Sequence, residues 1–302
     1  MTPILYAVLA LLISVNVLLG LPKAVDLIQT QVSAKNTAEA PKIAGVEKRI
    51  LMPKGHGIFA PTFTASAVIA KDIDSDTLLF VKDPDKRVPI ASTTKIMTAL
   101  VALDYFKPND VLTAFDLSQA GGSSMGLKTG EQLSFRAILY GMLLNSGNDA
   151  AYTIAENYPG GISGFIDAMN NKALSLGLSN THFDNPAGFD SPNHFSSAND
   201  LGKIAETAMN NYQFARVVST KETEVSSLDK SMIHPLKNLN KLLDDPGVLG
   251  IKTGTTPAAK ENLVGLLERN GHKILTVVLG SDDRFKETKE LTDWVFINFT
   301  WE

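Results

Sequence analysis

In residues 62–302 of this 302-residue chain, strand-like segments lie at the beginning and near the end, and segments with helical periodicity lie between them. Apolar runs bounded by turn residues predict five strands: residues 63–70, 78–82, 248–256, 262–268 and 273–280. The last two are predicted to form a hairpin, because Asn270-Gly271 favours a tight primed turn. A sheet that takes strands from both ends of the chain must leave the helical middle as an insertion.

Helical periodicity is found in six segments: residues 95–103, 135–144, 149–157, 164–176, 201–210 and 285–299. The last helix carries its predicted core face on one side: Leu291, Trp294, Val295 and Phe299. The simplest fold that joins these elements is α+β, an antiparallel sheet flanked by helices with an inserted helical lobe.

The N-terminus contains an uncharged apolar run at residues 4–21. Eighteen residues in a helix span about 27 Å, close to the thickness of a bilayer core. Because this run has no preceding Lys or Arg and no small-x-small cleavage site, residues 1–21 are predicted to be an uncleaved membrane anchor, with a cleaved signal segment as the alternative. Residues 22–61 are predicted to be an extracytoplasmic tether and residues 62–302 a single folded domain.

Composition excludes several classes of function. A net charge of −4 gives no basic footprint for nucleic acid. The absence of cysteine excludes a disulfide framework, a thiol nucleophile and a cysteine-based metal site. The five histidines show no metal-ligand spacing, so they are interpreted as surface or structural residues. The sequence therefore shows no pattern typical of a metal site.

Three short motifs occur in order: Ser92-Thr93-Thr94-Lys95, Ser146-Gly147-Asn148 and Lys252-Thr253-Gly254. Each pattern alone is weak, because each has further copies: at residues 227–230 for the first, at Ser14, Ser191 and Ser197 for the second, and at residues 128–130 for the third. The surroundings of each copy must decide which one carries chemistry.

The first motif begins an apolar helix. A serine at a helix N-terminus benefits from the positive end of the dipole, which favours a developing oxyanion. Lys95 lies one turn after Ser92 on the same face and can accept the serine proton only if its amine is neutral. Burial and a second nearby cation would lower the pKa of that amine. The copy at residues 227–230 lies in a polar stretch and predicts a solvated turn.

The other two motifs also have distinctive surroundings. Ser146 and Asn148 lie between two predicted helices, where side chains can project into a cleft. Lys252, Thr253 and Gly254 end a predicted strand, which suits an edge where Lys and Thr face a ligand and Gly permits its close approach. The copy at residues 128–130 predicts a turn before a helix.

The ordered trio resembles the penicillin-recognising serine enzymes. A closer resemblance, to the low-molecular-mass penicillin-binding proteins called D-alanyl-D-alanine carboxypeptidases, is carried by residues 91–98, 144–151, 169–170, 181–188 and 250–256. It covers roughly residues 62 to 300. The resemblance implies the transpeptidase fold shared by penicillin-binding proteins and β-lactamases, and a serine D,D-peptidase catalytic domain.

The resemblance implies three catalytic residues. Ser92 would attack the carbonyl between two D-alanines, Lys95 would take its proton, and Ser146 would pass a proton to the leaving D-alanine. The backbone N–H groups of Ser92 and Thr255 would form the oxyanion hole. The substrate-binding residues would be Asn148, Lys252, Thr253, Gly254 and Thr255.

The implied activity is removal of the terminal D-alanine from peptidoglycan stem peptides through an acyl-enzyme, with β-lactam antibiotics as covalent inhibitors and no cofactor. The implied location is the cell membrane, with the catalytic domain outside the cytoplasm. Cleavage of cross-links by the same site, as in a D,D-endopeptidase, stays open as an alternative.

Three other classes are disfavoured. A class A β-lactamase needs a Glu-x-x-Asn between the second and third motifs, and this chain has none there. An α/β-hydrolase would use the Gly-x-Ser-x-Gly pattern at residues 122–126, but no buried strand is predicted directly before it. A non-catalytic wall-binding protein would have lost Ser92 or Lys95.

Lys260 departs from the family pattern, and Arg284 has two interpretations. The family often has Gly where this chain has Lys260, which leaves the conformation of residues 257–262 open. Arg284, near the third motif's strand, could bind a carboxylate, although a surface ion pair with a residue such as Asp282 is the favoured interpretation.

Overall fold

The computed structural model describes residues 50–302. The predicted anchor at residues 1–21 lies outside the described residues, and so does most of the predicted tether. Within residues 50–302, no helix is long and apolar enough to cross a membrane.

Eleven strands occur in the described residues: β1 Pro53–Gly55, β2 Ala67–Asp72, β3 Thr77–Lys82, β4 Val111–Thr113, β5 Gln132–Ser134, β6 Glu222–Ser226, β7 Ile233–Lys237, β8 Val248–Thr256, β9 Lys260–Arg269, β10 His272–Ser281 and β11 Phe299–Trp301. The α-helices of the same region are α1 Lys95–Tyr105, α2 Phe135–Leu143, α3 Asn148–Glu156, α4 Gly161–Ser175, α5 Ala198–Met209, α6 Tyr212–Val218 and α7 Arg284–Asn298. Two short 3-10 turns cover Ala91–Thr94 and Lys241–Asp244.

The central sheet has five antiparallel strands in the order β3-β2-β10-β9-β8. It combines two N-terminal strands with three C-terminal strands, and helices α1 to α6 are inserted between them in sequence. The predicted α+β class and the predicted sheet are therefore confirmed. The β9–β10 turn is also as predicted, since Asn270 and Gly271 have φ of +54° and +81°, the left-handed values that a primed turn needs.

Alternation along the strands divides the core into two layers. Ile69 and Val277 belong to the larger core, which the inserted helices share, whereas their neighbours Val68 and Val278 face α7. Successive side chains of a strand point to opposite faces, so the inner strands are apolar on both sides. Leu291 of α7 is fully buried, and burial of such a side chain contributes about 2 kcal/mol.

The structure differs from the sequence prediction in its short elements. β1 pairs with β11, with Pro53 opposite Trp301, although β1 lies within the segment predicted as a tether. Phe299, predicted as helical, begins β11 instead. The β6–β7 hairpin was not predicted, but its connection at residues 227–230 is the turn expected there, with Lys230 at φ +60°. The three-residue strands β1 and β11 carry no periodic signal and depend on distant pairing partners.

Candidate active site

The three motifs meet where the helical lobe adjoins the sheet. Ser92 lies in the 3-10 turn that leads into α1, and Lys95 is the first residue of α1. Ser146 lies in the loop between α2 and α3, and Asn148 begins α3. The third motif lies on β8, the edge strand of the sheet, as predicted.

The Lys95 side chain links the first two motifs. Its Nζ lies 3.0 Å from Ser92 Oγ, 2.7 Å from Asn148 Oδ1 and 2.6 Å from the backbone oxygen of Ala187. The residue has 0% of its surface exposed, although lysine is rarely buried. The amine is thus held against the serine hydroxyl by two fixed acceptors.

The surroundings of Lys95 favour its neutral form. Burial lowers the pKa of Lys95 well below its ordinary value, and the cation of Lys252 lowers it further, while Asp149 opposes both effects. A lysine whose pKa is lowered in this way can act as a base toward a neighbouring hydroxyl.

The Lys252 side chain links the third motif to the second. Its Nζ lies 3.0 Å from Ser146 Oγ and donates to the backbone oxygen of Thr253 at 2.9 Å. Burial, followed by the cation of Arg284, lowers the pKa of Lys252 to about 7. Ser146 is held in a left-handed conformation with φ of +57°, a strain that non-glycine residues adopt at functional sites. Each of the two buried lysines therefore lies within hydrogen-bond distance of one serine hydroxyl, Lys95 of Ser92 and Lys252 of Ser146.

Two glycines allow the backbone to pack tightly around Ser92. A Cβ on Gly188 would lie 1.9 Å from the Ala91 carbonyl oxygen, and Gly188 has φ of +93°. A Cβ on Gly254 would lie 2.9 Å from the Ser92 nitrogen. Gly254 thus permits β8 to approach the nucleophile's own backbone, in addition to any ligand.

A loop at residues 121–127 covers Asn148. Asn148 Nδ2 donates to the Gly121 oxygen at 2.6 Å, and the Asn148 N–H donates to the Ser123 oxygen. The carboxylate of Asp149 holds the loop by accepting hydrogen bonds from the Ser124 hydroxyl and from the N–H groups of residues 125 to 127. The Gly-x-Ser-x-Gly pattern is therefore a structural loop without a strand directly before it.

Arg284, for which carboxylate binding was the less favoured interpretation, contacts the third motif's strand. Its Nη1 donates to the Gly254 oxygen at 2.8 Å and to the Thr255 hydroxyl, and its side chain is 14% exposed. Asp282, the example given for an ion-pair partner, pairs with Lys260 at 2.9 Å instead, and the acidic partner of Arg284 is Glu261, whose Oε2 lies 4.0 Å from Arg284 Nε. Arg284 begins α7, which brings its guanidinium to the end of β8.

Lys260 follows the turn between β8 and β9 and opens β9. It adopts the left-handed region with φ of +51°, and it pairs with Thr256 in the β8–β9 register. Lys260 thus takes the backbone conformation for which glycine is preferred, and β8 and β9 still pair up to this residue.

His194 is a residue near the site that sequence reasoning missed. It is 2% exposed, and its Nε2 lies 2.7 Å from the hydroxyl of Thr94, inside the first motif. Its position in a Pro/Asn/Ser loop carries no signal of this contact, because the two residues are 100 positions apart. The competing motif copies lie outside this cluster: Lys128 is exposed in a turn, and the Ser227 hydroxyl is bonded within its own turn.

Comparisons with known proteins show which family this chain resembles. The family model described as D-alanyl-D-alanine carboxypeptidase matches residues 55–283. A D-alanyl-D-alanine carboxypeptidase of Streptomyces sp. (strain K15) is 36% identical over 244 residues, which cover 73% of this chain and 82% of that protein. A D-alanyl-D-alanine endopeptidase of Escherichia coli (strain K12) is 31% identical over 243 residues, which cover 78% of each.

Solved structures give the same result. The crystal structure of the Streptomyces K15 DD-transpeptidase matches with a TM-score of 0.75 at 34% identity, covering 80% of this chain and 100% of that one. The predicted penicillin-binding fold is therefore confirmed.

Proposed function

The chain belongs to the D-alanyl-D-alanine carboxypeptidase family, and from this premise we propose which of its residues carry out the reaction. As a serine-type carboxypeptidase of this family it hydrolyses D-alanyl-D-alanine termini, and the proposed substrate is the peptidoglycan stem peptide. The observation that carries the assignment of residues is the buried Lys95 amine, 3.0 Å from Ser92 Oγ and oriented by Asn148.

In the proposed acylation step, Ser92 Oγ bonds to the carbonyl carbon between the two D-alanines. Its proton passes to the neutral amine of Lys95. The C–N bond then breaks, and the proton that Lys95 took from Ser92 passes through the Ser146 hydroxyl to the leaving amine, which returns Lys95 to its neutral form. The Ser146 hydroxyl lies 3.0 Å from Lys252 Nζ. Water later attacks the Ser92 ester, with Lys95 again as base, and releases the shortened peptide.

Developing charge on the carbonyl oxygen requires fixed donors. The N–H groups of Ser92 and Thr255 are the proposed oxyanion hole, and the close packing of Gly254 on the Ser92 nitrogen supports this by placing β8 beside the nucleophile. Loss of one such donor typically costs about 100- to 1,000-fold in rate.

The terminal carboxylate of the substrate needs a cationic pocket. Lys252 and Arg284 are the proposed source of its charge, with the hydroxyls of Thr253 and Thr255 as donors. A bound carboxylate would raise the pKa of Lys252 again and keep its ammonium charged. Asn148 would bind the peptide through its amide as well as orient Lys95.

Mass spectrometry of purified muropeptides tests whether the protein is active and whether it acts as a carboxypeptidase or as an endopeptidase. A carboxypeptidase removes one alanine from monomeric pentapeptides, whereas an endopeptidase splits cross-linked dimers, the activity named for the Escherichia coli relative. We expect monomers to be shortened by the wild-type protein and left intact by Ser92→Ala. Cleavage of dimers with intact monomers would assign the endopeptidase activity instead.

The family acts on peptidoglycan outside the cytoplasm, and residues 1–21 are the proposed anchor. The supporting observation is the uncharged run at residues 4–21 without a cleavage site. Membrane fractionation with N-terminal sequencing of the recovered protein tests it. A sequence that begins near residue 22 would refute the uncleaved anchor.

A further inference from the structure

We infer that Thr94 and His194 are positioning residues that fix the peptide between Ala91 and Ser92, so that the Ser92 N–H points into the cleft as an oxyanion donor. The inference rests on the proposed function, because it concerns the donor that the acylation step needs. Neither side chain takes part in the proton transfers described above.

A chain of hydrogen bonds with fixed directions connects His194 to that peptide. The backbone N–H of Asp184 can only donate, so His194 Nδ1, 3.1 Å away, must accept. A neutral imidazole then carries its proton on Nε2, which donates to Thr94 Oγ1 at 2.7 Å. The hydroxyl proton of Thr94 is thereby directed to the Ala91 carbonyl oxygen, 2.8 Å away.

The imidazole is held in the neutral form that this chain requires. Burial lowers the pKa of His194 to about 4. Among the charged groups around it, the carboxylates of Asp184 and Asp190 raise this pKa, whereas His182 and Lys95 lower it. His194 therefore keeps an acceptor at Nδ1 and a donor at Nε2 throughout the neutral range.

The planar peptide transmits this restraint to the nucleophile. The Ala91 C=O and the Ser92 N–H belong to one trans peptide, so they point in opposite directions and fixing the oxygen fixes the hydrogen. The oxygen side is enclosed by Thr94 and Gly188, and the nitrogen side faces Gly254 on β8. Ala91 has φ of +49°, a conformation that a non-glycine residue keeps only when its surroundings hold it.

A matched pair of variants at Thr94 tests the inference. Thr94→Val keeps the side-chain shape without the hydroxyl, and Thr94→Ser keeps the hydroxyl. Stopped-flow acylation by a fluorescent penicillin separates the non-covalent Kd from the acylation rate. We expect Thr94→Val to slow acylation by about 10- to 100-fold, less than complete loss of one oxyanion donor, with Kd nearly unchanged. Thr94→Ser should stay within about threefold of wild type.

An infrared readout distinguishes positioning from a general loss of structure. The ester carbonyl of the acyl-enzyme, labelled with carbon-13, absorbs at a higher frequency when its oxyanion-hole hydrogen bonds are weaker. We expect an upward shift in Thr94→Val and none in Thr94→Ser. His194→Asn keeps an acceptor for the Asp184 N–H and loses the Nε2–H donor to the Thr94 hydroxyl, so it should shift the carbonyl band in the same direction. This variant replaces Thr94→Val in the test if Thr94→Val does not fold.

Two results would overturn the inference. One is an acylation rate and a carbonyl band in Thr94→Val that equal those of wild type; the other is a rate loss with an unshifted band in both Thr94→Val and His194→Asn. If wild-type protein itself forms no adduct on Ser92, the proposed function fails, and that outcome is separate from either of these.

Discussion

Two buried lysines with opposite requirements define the site at the residue scale. Lys95 must be neutral to accept the Ser92 proton, whereas Lys252 must be charged to bind a carboxylate. Burial lowers the pKa of both, and the cation of Lys252 adds to the effect on Lys95. The positive charge of Lys252 close to Lys95 therefore helps to keep the Lys95 amine neutral, as a base must be.

The pH dependence of acylation follows from these two groups. Acylation should rise as pH rises through the lowered pKa of Lys95, because deprotonation creates the base. It should fall as pH rises through the pKa of Lys252, about 7 in the free protein, because the carboxylate-binding charge is lost. Acylation rate constants at low β-lactam concentration, measured from about pH 5 to about pH 10, should give a bell-shaped profile.

Lys252→Arg provides the control for this profile. Guanidinium keeps its charge over this pH range, so the alkaline limb should disappear while the acid limb remains. An alkaline limb that is unchanged in Lys252→Arg would show that a different group titrates there.

The two Lys-Thr-Gly sequences give a second residue-scale prediction. Lys252 is buried against Ser146, and Lys128 is exposed in a turn. Lys252→Ala should slow acylation by about 100-fold or more, since transition-state charge stabilisation is lost, and Lys128→Ala should change it by less than about twofold. Acylation assays on the two purified variants make the comparison, and equal losses would contradict the choice of motif.

The β8–β9 hairpin supports the site at the element scale, and Lys260 strains its turn. A non-glycine residue in the left-handed region costs about 1 kcal/mol or more, while the exposed ion pair of Lys260 with Asp282 is worth less than about 1 kcal/mol. Lys260→Gly should therefore raise the free energy of unfolding by up to about 1 kcal/mol.

Lys260→Ala is the matched variant for the hairpin, because it loses the ion pair and keeps the strained backbone. In thermal or urea unfolding, the free energy of unfolding should be higher for Lys260→Gly than for Lys260→Ala. The reverse order would mean that the side chain, and not the backbone conformation, decides the stability of this turn.

The sequence predicts long buried elements well and short ones poorly. β8 and the β9–β10 hairpin could be predicted because apolar runs and the Asn270-Gly271 turn are local signals. β1 and β11 could not, because three-residue strands form only when distant segments meet.

The same distinction applies to the site. Ser92, Lys95, Asn148 and Lys252 are within reach of motif analysis, since their surroundings separate them from other copies of each motif. The contact of His194 with Thr94 depends on tertiary packing and leaves no mark in the local sequence.

At the scale of the whole molecule, the cleft is shared between the inserted helices and the sheet. The helical lobe contributes Ser92, Lys95, Ser146 and Asn148, and the edge strand β8 contributes Lys252. The sheet behind the cleft pairs β2, which precedes the inserted helices, with β10, which follows them.

The central claim is that Ser92 is the nucleophile and Lys95 its base. A β-lactam presents a strained amide beside a carboxylate and should acylate the same serine. Intact-protein mass spectrometry should show one adduct, which peptide mapping places on Ser92 and which Ser92→Ala abolishes. Lys95→Arg should slow adduct formation by orders of magnitude, because guanidinium does not release its proton. An adduct on Ser124, an adduct retained in Ser92→Ala, or an unchanged rate in Lys95→Arg would contradict the account.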